Sequence, residues 1–324
     1  MKRLKLGSAI NVIGLLVAWV LIFGIFVVLL HMQDKSGFLS LINIETILRQ
    51  SSSVCLAALG MTLVIITGGI DLSVGSVVAF VTVAVAWCLN KGVSPYVALG
   101  GGLVAGTLCG ILNGLLITRL KVGPFIVTLA TMLIARGAAK GMANEQKIDA
   151  PITWLNDLLA VLPQGEKWKI FPIGVWIMIV LAFVVSWILN STRFGRHVVA
   201  VGSNENAARL CGVPVERVKL LVYILMGLLA GFAGLMVFAR LSVGDPTTSQ
   251  GFELSVIAAV VIGGASLSGG SGSILGAIIG ALIMATINSG CSQLGLSNWV
   301  QEMITGVIIV VSVMLDRIRL KRAT

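Results

Sequence analysis

The chain has 324 residues, of which 57% are hydrophobic and only 11% are charged, and its formal net charge is +10. A soluble protein carries about 25% charged residues, so this composition excludes an ordinary soluble enzyme. Because the basic residues lie in short loops and tails between apolar segments, the positive charge is typical of membrane-protein topology and excludes a nucleic-acid-binding surface.

The apolar segments predict an all-α polytopic membrane protein with about ten transmembrane helices, some of them short or interrupted by glycine. Several segments reach the ~20 residues that span a bilayer. No small-residue cleavage site follows the first apolar run, so we expect that run to be retained and not removed as a signal peptide. The predicted cores of the spans are 11–30, 46–67, 73–89, 95–118, 124–142, 172–190, 218–239, 253–265, 273–292 and 300–316.

The distribution of basic residues predicts the orientation. Lys and Arg concentrate at both ends of the chain and in the loop at about 190–219, whereas the loop at about 143–171 mixes both signs of charge. Basic loops stay on the cytoplasmic side, so both termini and the loop 190–219 are predicted to be cytoplasmic and the loop 143–171 external. We expect residues 1–324 to form a single transmembrane domain.

Two Gly-rich segments interrupt the apolar regions. "GGIDLSVGS" at 68–76 and "GGASLSGGS" at 263–271 are identical at six of nine positions. Paired Gly-interrupted segments are a sequence pointer to a transport pathway. The ten-span model places both segments on the same side of the membrane, which an inverted five-plus-five repeat would not do. Either a predicted boundary is therefore wrong, or the similarity is not a simple repeat of two halves.

These segments supply most of the candidate residues that line or shape a translocation pathway. The candidates are Gly68, Gly69, Asp71, Ser73, Gly75, Gly263, Gly264, Ser266 and Ser268, together with Asn113 and Asn288.

Asp71 is a carboxylate within an apolar region, where an unpaired charge is costly. One interpretation is that Asp71 and Ser73 line a polar path. The other, which we favour, is that Asp71 caps a helix that begins near Leu72, since Asp is a strong N-cap residue.

Two glycine ladders predict close helix packing. Gly102, Gly106, Gly110 and Gly114 repeat every four residues, as do Gly272, Gly276 and Gly280. This spacing places each ladder on one helix face, where small residues let two backbones approach.

The loop 190–219 predicts a short helix of about two turns. Ser203 or Asn204 can cap its start, Gly212 lies just past its end, and Pro214 prevents its continuation. A helix bounded in this way is suited to docking a cytoplasmic partner; the alternative is an interfacial helix that has no partner. The candidate docking residues are Ser203, Asn204, Glu205, Ala207, Ala208, Arg209, Leu210 and Gly212.

The sequence offers few groups for chemistry. It has no GxxxxGK[ST] phosphate-binding motif, only two histidines, and no Cys/His spacing typical of a metal site. We therefore expect a non-enzymatic chain without catalytic residues, metal or cofactor, and any ATP-driven process needs another chain to bind ATP.

Three segments resemble one family. "ALGMTLVIITGGIDLSVGSVVAF" (58–80), "VGSNENAARLCGV" (201–213) and "IAAVVIGGASLSGGSGSILGAIIGAL" (257–282) are similar to segments of the ribose/xylose-type permeases, the membrane subunits of bacterial carbohydrate ABC importers. The resemblance runs over nearly the whole chain. Departures occur at 288–295, with Ser289, Cys291 and Ser292, and at Ala265, where the family often has Thr.

The resemblance implies a multi-pass protein of the bacterial inner membrane that imports a monosaccharide by alternating access. It also implies three protein partners besides the lipid bilayer: a cytoplasmic ABC ATPase, a periplasmic or lipid-anchored sugar-binding protein, and a second permease copy in a homodimer or related heterodimer. The helix around Asn204–Gly212 would then be the coupling helix that docks into the ATPase. The alternatives are a branched-chain amino acid ABC permease and an ion-coupled secondary transporter.

Overall fold

The computed structural model describes residues 2–35, 37–162 and 170–323. These residues form thirteen helices and one antiparallel pair of two-residue strands, which confirms the all-α fold class. The helices are α1 (Lys2–His31), α2 (Leu41–Ile66), α3 (Val74–Asn90), α4 (Pro95–Arg119), α5 (Pro124–Met142), α6 (Trp154–Asp157), α7 (Ile173–Ser191), α8 (Arg193–Ser203), α9 (Glu205–Leu210), α10 (Val215–Leu241), α11 (Phe252–Ile262), α12 (Ile274–Gln293) and α13 (Asn298–Ala323). The strands are β1 (Ile148–Asp149) and β2 (Val243–Gly244).

Ten of these helices coincide with the ten predicted spans, and seven of them are long and apolar enough to cross a membrane: α1, α2, α4, α5, α7, α10 and α12. Three more apolar segments are shorter: α3, α11 and residues 298–314 of α13. Helix α11 has 11 residues. It therefore measures about 16 Å, roughly half of the hydrocarbon thickness of a bilayer.

Helix α2 is the centre of the bundle. Every residue from Ser51 to Ile66 is buried, and the helix packs against α7, α10, α11 and α12. A helix that is apolar on all sides is stable only when other helices cover it or lipid surrounds it. By contrast, α1 lies at the edge and reaches α12, where the Trp19 indole donates a hydrogen bond of 3.0 Å to Thr286 Oγ1.

The ladder on α4 packs as predicted, whereas the second is confirmed only in part: Gly276 and Gly280 lie on α12, but Gly272 precedes that helix, which begins at Ile274. A Cβ added to Gly106 would lie 2.6 Å from the Gly227 carbonyl oxygen, and one added to Gly110 would lie 3.0 Å from Gly227 Cα, so α4 and α10 meet backbone to backbone. In the second ladder, a Cβ on Gly276 would overlap Gly263 and one on Gly280 would overlap Ala259, which brings α12 against α11. Only residues without a side chain permit these approaches.

The bundle has two ends. Helix α10 begins beside α9, and its 27 residues run about 40 Å to β2. We call the end that carries α8 and α9 the α9 face, and the end that carries β1, β2 and α6 the ribbon face. The predicted external loop 143–171 contributes β1 and α6 to the ribbon face; its residues 163–169 lie outside the described residues.

Candidate functional site

The two Gly-rich segments meet at the α9 face. The Gly270 N–H donates a hydrogen bond of 2.9 Å to the Ile66 carbonyl oxygen, and a Cβ on Gly269 would lie 3.2 Å from Gly68 N. Both segments therefore lie at the same end of the bundle, as the ten-span model requires. Their similarity is not that of an inverted repeat.

Gly202, near the end of α8, touches the last residue of α2 and the second Gly-rich segment. A Cβ at this position would overlap the Ile66 carbonyl oxygen and lie 2.7 Å from Gly270 N. Gly269 and Gly270 adopt φ values of +85° and +78°, which favour glycine. We call Ile66, Gly68, Gly202, Gly269 and Gly270 the glycine junction; it joins α2, α8 and the connection between α11 and α12.

Asp71 lies in the connection between α2 and α3 and is buried. Its Oδ1 accepts hydrogen bonds from the Ser73 N–H at 2.8 Å and the Ser73 hydroxyl at 2.6 Å. Helix α3 begins at Val74, two residues later than expected, with Ser73 at the N-cap. The predicted helix cap is therefore wrong, and Asp71 forms an Asx turn ahead of the helix.

Asn113 of α4 completes a buried polar cluster with Asp71. Its Nδ2 donates to Ser73 Oγ at 3.0 Å and lies 3.5 Å from Asp71 Oδ2. Tyr223 of α10 lies beside them, since a Cβ on Gly69 would be 2.6 Å from the Tyr223 hydroxyl. Asn113 Oδ1 and Tyr223 Oη are buried and lack a hydrogen-bond partner among the described residues. Such groups are commonly satisfied by a buried water.

Tyr223 was missed by the sequence analysis, because a single tyrosine in an apolar helix carries no pattern. The structure does not bring the remaining candidate pathway residues together in one place. Ser266 is buried, whereas Gly264 and Ser268 are exposed at the end of the second segment. Asn288 is half-buried on α12, next to Ser289, whose hydroxyl lies 3.4 Å from Asn43 Oδ1 near the start of α2. Since the Asp71 cluster follows the end of α2, the structure does not bring Asn288 to it.

The short helix predicted at 204–210 is present as α9. Asn204 is its N-cap, accepting a 2.9 Å hydrogen bond from the Ala207 N–H, and Gly212 follows its end with φ +80°. Ser203 does not cap α9; it is the last residue of α8. Helix α8 was missed, although Thr192 caps it through the Gly195 N–H.

Ion pairs hold α9 against α10. Lys219 Nζ lies 2.6 Å from Glu205 Oε2, and the Arg209 guanidinium pairs with Glu216. The hydrogen bond and charge of Glu216, with a smaller effect of Glu205, raise the pKa of Arg209 above its ordinary value. Ala208 is buried under the helix, while Leu210 is 90% exposed. The arrangement presents an apolar side chain to the surroundings on a braced helix.

A second missed residue is Arg136, in the middle of α5. Its guanidinium donates to the carbonyl oxygens of Pro246 and Thr248 and to the Ser76 hydroxyl. An arginine inside a predicted span is itself a functional signal, because such groups face the protein interior or a water-filled cavity.

Comparison with known proteins gives the family. Residues 43–313 match the family model described as "Branched-chain amino acid transport system / permease component". The chain is 43% identical to the ribose import permease protein RbsC of Bacillus subtilis, with 90% of each chain covered. It is 40% identical to the protein of that name from Escherichia coli K12, covering 86% of this chain and 87% of the relative.

A further relative is the L-arabinose ABC transporter permease protein AraH of Azospirillum brasilense, 38% identical over 87% of this chain and 82% of the relative. No solved structure matches. The family match and these identities, over most of both chains, establish that the chain belongs to the permease-component family of ABC transporters and to its ribose-type group.

Proposed function

We propose that the chain is the membrane-spanning permease of an importer that moves ribose or a related monosaccharide across the bacterial inner membrane, driven by a separate ABC ATPase. The observation that carries this proposal is the set of relatives reported above: the three, at 38–43% identity, are named as ribose or L-arabinose permeases. The chain itself performs no covalent chemistry in this proposal; it offers two conformations that the partner's ATP cycle biases.

The proposed contact with the ATPase is α9. Its exposed Leu210 is an apolar anchor of the kind that fills a pocket in a partner. The Glu205–Lys219 and Arg209–Glu216 pairs tie α9 to the start of α10. A force applied to α9 therefore acts on α10, a helix that runs to the other end of the bundle.

The glycine junction is the proposed second route from the coupling segment to the pathway. Gly202 of α8 is in backbone contact with the end of α2 and with the second Gly-rich segment. Because no side chain separates these backbones, a shift of α8 moves both segments together. This arrangement supports alternating access, in which the pathway opens to one side at a time.

The remaining parts of the proposal follow from the family and from charge. Residues 1–324 are one permease domain with both termini, α8 and α9 in the cytoplasm and the ribbon face outside. The partners are the ATPase, a periplasmic or lipid-anchored sugar-binding protein and a second permease copy. The basic loop 190–219 and basic ends support this orientation.

Two other transport functions can be distinguished from a sugar importer. The family description names branched-chain amino acid transport, whereas the relatives reported above carry ribose or arabinose names, which favours a sugar. An ion-coupled secondary transporter needs intramembrane charges for coupling. Asp71 is the first candidate for that role, but its hydrogen bonds with Ser73 and Asn113 favour a structural one.

Uptake of labelled ribose tests the substrate. The assay uses membrane vesicles that contain the chain together with the ATPase and the binding protein of its own transport system. ATP is supplied on the side of the membrane that the ATPase faces. We expect ribose to accumulate, excess unlabelled ribose to suppress the signal, and leucine to leave it unchanged. Competition by leucine but not by ribose would contradict the sugar assignment.

A further inference from the structure

The connection between β2 and α11 enters the bundle instead of lying on its surface. A Cβ on Gly244, in β2, would lie 2.6 Å from Ala86 Cβ on α3. A Cβ on Gly75, in the first turn of α3, would lie 2.6 Å from the Ser249 carbonyl oxygen. Ala86 and Gly75 are eleven residues apart on α3, so between these two contacts the chain descends about 16 Å along α3, at 1.5 Å per helical residue.

This descent explains how α11 crosses the rest of the bundle. Helix α11 is too short to span a bilayer, but residues 245–251 carry the chain inward from the ribbon face before α11 begins at Phe252. We call residues 245–251, with the sequence DPTTSQG, the re-entrant segment. Non-helical backbone at membrane depth is tolerated only where protein buries it or where it lines a water-filled cavity.

Arg136 supplies the hydrogen bonds that this backbone lacks. One guanidinium nitrogen, Nη1, donates to the Pro246 carbonyl at 2.8 Å and to the Thr248 carbonyl at 2.6 Å, while Nε donates to Ser76 Oγ at 3.2 Å. The re-entrant segment is thus clamped between α5 and the start of α3. Gly75 makes room for it, because a Cβ there would lie 2.6 Å from the Ser249 carbonyl oxygen of the segment.

The outer end of the segment is also fixed. Asp245 is buried, accepts hydrogen bonds from the Thr247 N–H and hydroxyl at 2.8 and 2.6 Å, and pairs with Lys147 at 3.2 Å. Lys147 precedes β1, so the segment is tied to the ribbon face at one end and to Arg136 at the other.

Not all of the segment is covered. Thr247, Gln250 and Gly251 are exposed, between the buried Asp245 and Pro246 on one side and half-buried Phe252 and Glu253 on the other. The Thr247 hydroxyl donates to Asp245, but its oxygen still has lone pairs to accept hydrogen bonds, and Gln250 carries a polar amide on an exposed residue. Exposed polar groups at this depth are costly against lipid but favourable against water. They are also the donors and acceptors that match sugar hydroxyls.

We propose that the re-entrant segment lines the outer half of the sugar pathway, that Arg136 positions it there, and that Thr247 and Gln250 face the passing sugar. This rests on the proposed function for the identity of the cargo and for the orientation that places the ribbon face outside. The water-filled lining follows from the backbone placement, the clamp and the exposed polar side chains.

Thiol labelling tests the proposal. Thr247→Cys and Gln250→Cys are made in a Cys211→Ser background, since Cys211 is the exposed one of the five native cysteines. The matched control is Leu133→Cys, whose native side chain is 66% exposed on α5, the helix that carries Arg136. Co-purification of the ATPase first shows that each variant is assembled. Right-side-out vesicles are then treated with a membrane-impermeant, charged methanethiosulfonate, and ribose uptake is measured before and after the treatment.

We expect the thiols introduced at positions 247 and 250 to react at least tenfold faster than the thiol at position 133, and modification to abolish uptake. Failure of both variants to react, with the unmodified variants still active, would overturn the proposal. Fast reaction without loss of uptake would also overturn it, because the segment would then face water away from the pathway. Labelling rates need no sugar, so a failure of ribose uptake in the unmodified chain counts against the proposed cargo and not against the water-filled lining.

Discussion

Gly202, near the end of α8, packs directly on the carbonyl oxygen of Ile66, the last residue of α2. The same carbonyl accepts the hydrogen bond of the Gly270 N–H. One backbone atom thus connects the coupling segment, the central helix and the second Gly-rich segment. This contact is the structural basis of the proposed link between ATPase docking and the pathway.

Replacing Gly202 with Ala is expected to separate the glycine junction. The new methyl group would overlap the Ile66 carbonyl, and overpacking of this kind costs about 1–3 kcal/mol. We predict a lower melting temperature of the detergent-purified protein and a loss of sugar uptake. The control is Gly137→Ala on α5, where a Cβ meets nothing within 4 Å; equal losses in both variants would contradict the prediction.

Charge exchange between Glu205 and Lys219 tests the brace between α9 and α10. Glu205→Lys and Lys219→Glu should each lower uptake, since each leaves two like charges in contact. The double exchange should restore uptake, with a coupling energy of about 0.5–1 kcal/mol for a partly exposed pair. If the effects of the two single changes simply add in the double variant, the pair does not hold α9 in place.

Asp71 is expected to tolerate Asn but not Ala. Asn retains the acceptor for the Ser73 N–H and hydroxyl, and Asn113, whose Oδ1 has no partner among the described residues, can turn its amide to accept from the new Nδ2. Ala leaves buried hydrogen-bond donors unpaired, which lowers the stability of the fold by about 1–3 kcal/mol. For both variants, thermal unfolding measures the stability of the protein and sugar uptake measures its function. Loss of uptake in a stable Asp71→Asn variant would show that the charge itself is required.

Leu210→Glu tests docking at α9 without disturbing the fold, because the leucine side chain is 90% exposed. A charge in place of an apolar anchor should remove the ATPase from the purified complex and abolish uptake, while Leu210→Met should retain both. Membrane insertion and melting temperature serve as the check on folding. Undiminished co-purification of the ATPase with Leu210→Glu would place the docking surface elsewhere.

The ten spans and α9 could be predicted because their signals are local: apolar length for the spans, and Asn204, Gly212 and Pro214 around α9. The re-entrant segment could not be predicted in this way. Its sequence, DPTTSQG, is that of a surface turn, and its depth depends on Arg136, more than a hundred residues earlier in the chain. The Asx turn at Asp71 was missed because the same residue type favours both caps and turns.

The residues that surround Asp71 could not be predicted from the sequence either. Asn113 and Tyr223 lie on α4 and α10, and they reach Asp71 only because the glycines between those helices let the backbones approach. The ladder at 102–114 predicts a close helix contact, but not which helix supplies it. Side-chain clusters that depend on the choice of neighbour therefore require the structure.

The most direct test of the central claim is the energy source of uptake. Labelled ribose is offered to vesicles that contain the chain with its ATPase and binding protein, and accumulation is measured with ATP, with a non-hydrolysable ATP analogue, and with ATP plus proton and sodium ionophores. Accumulation is expected with hydrolysable ATP, in the presence or absence of the ionophores, and not with the non-hydrolysable analogue. Accumulation that persists with the non-hydrolysable analogue, or that the ionophores abolish in the presence of ATP, would contradict transport driven by the ATPase.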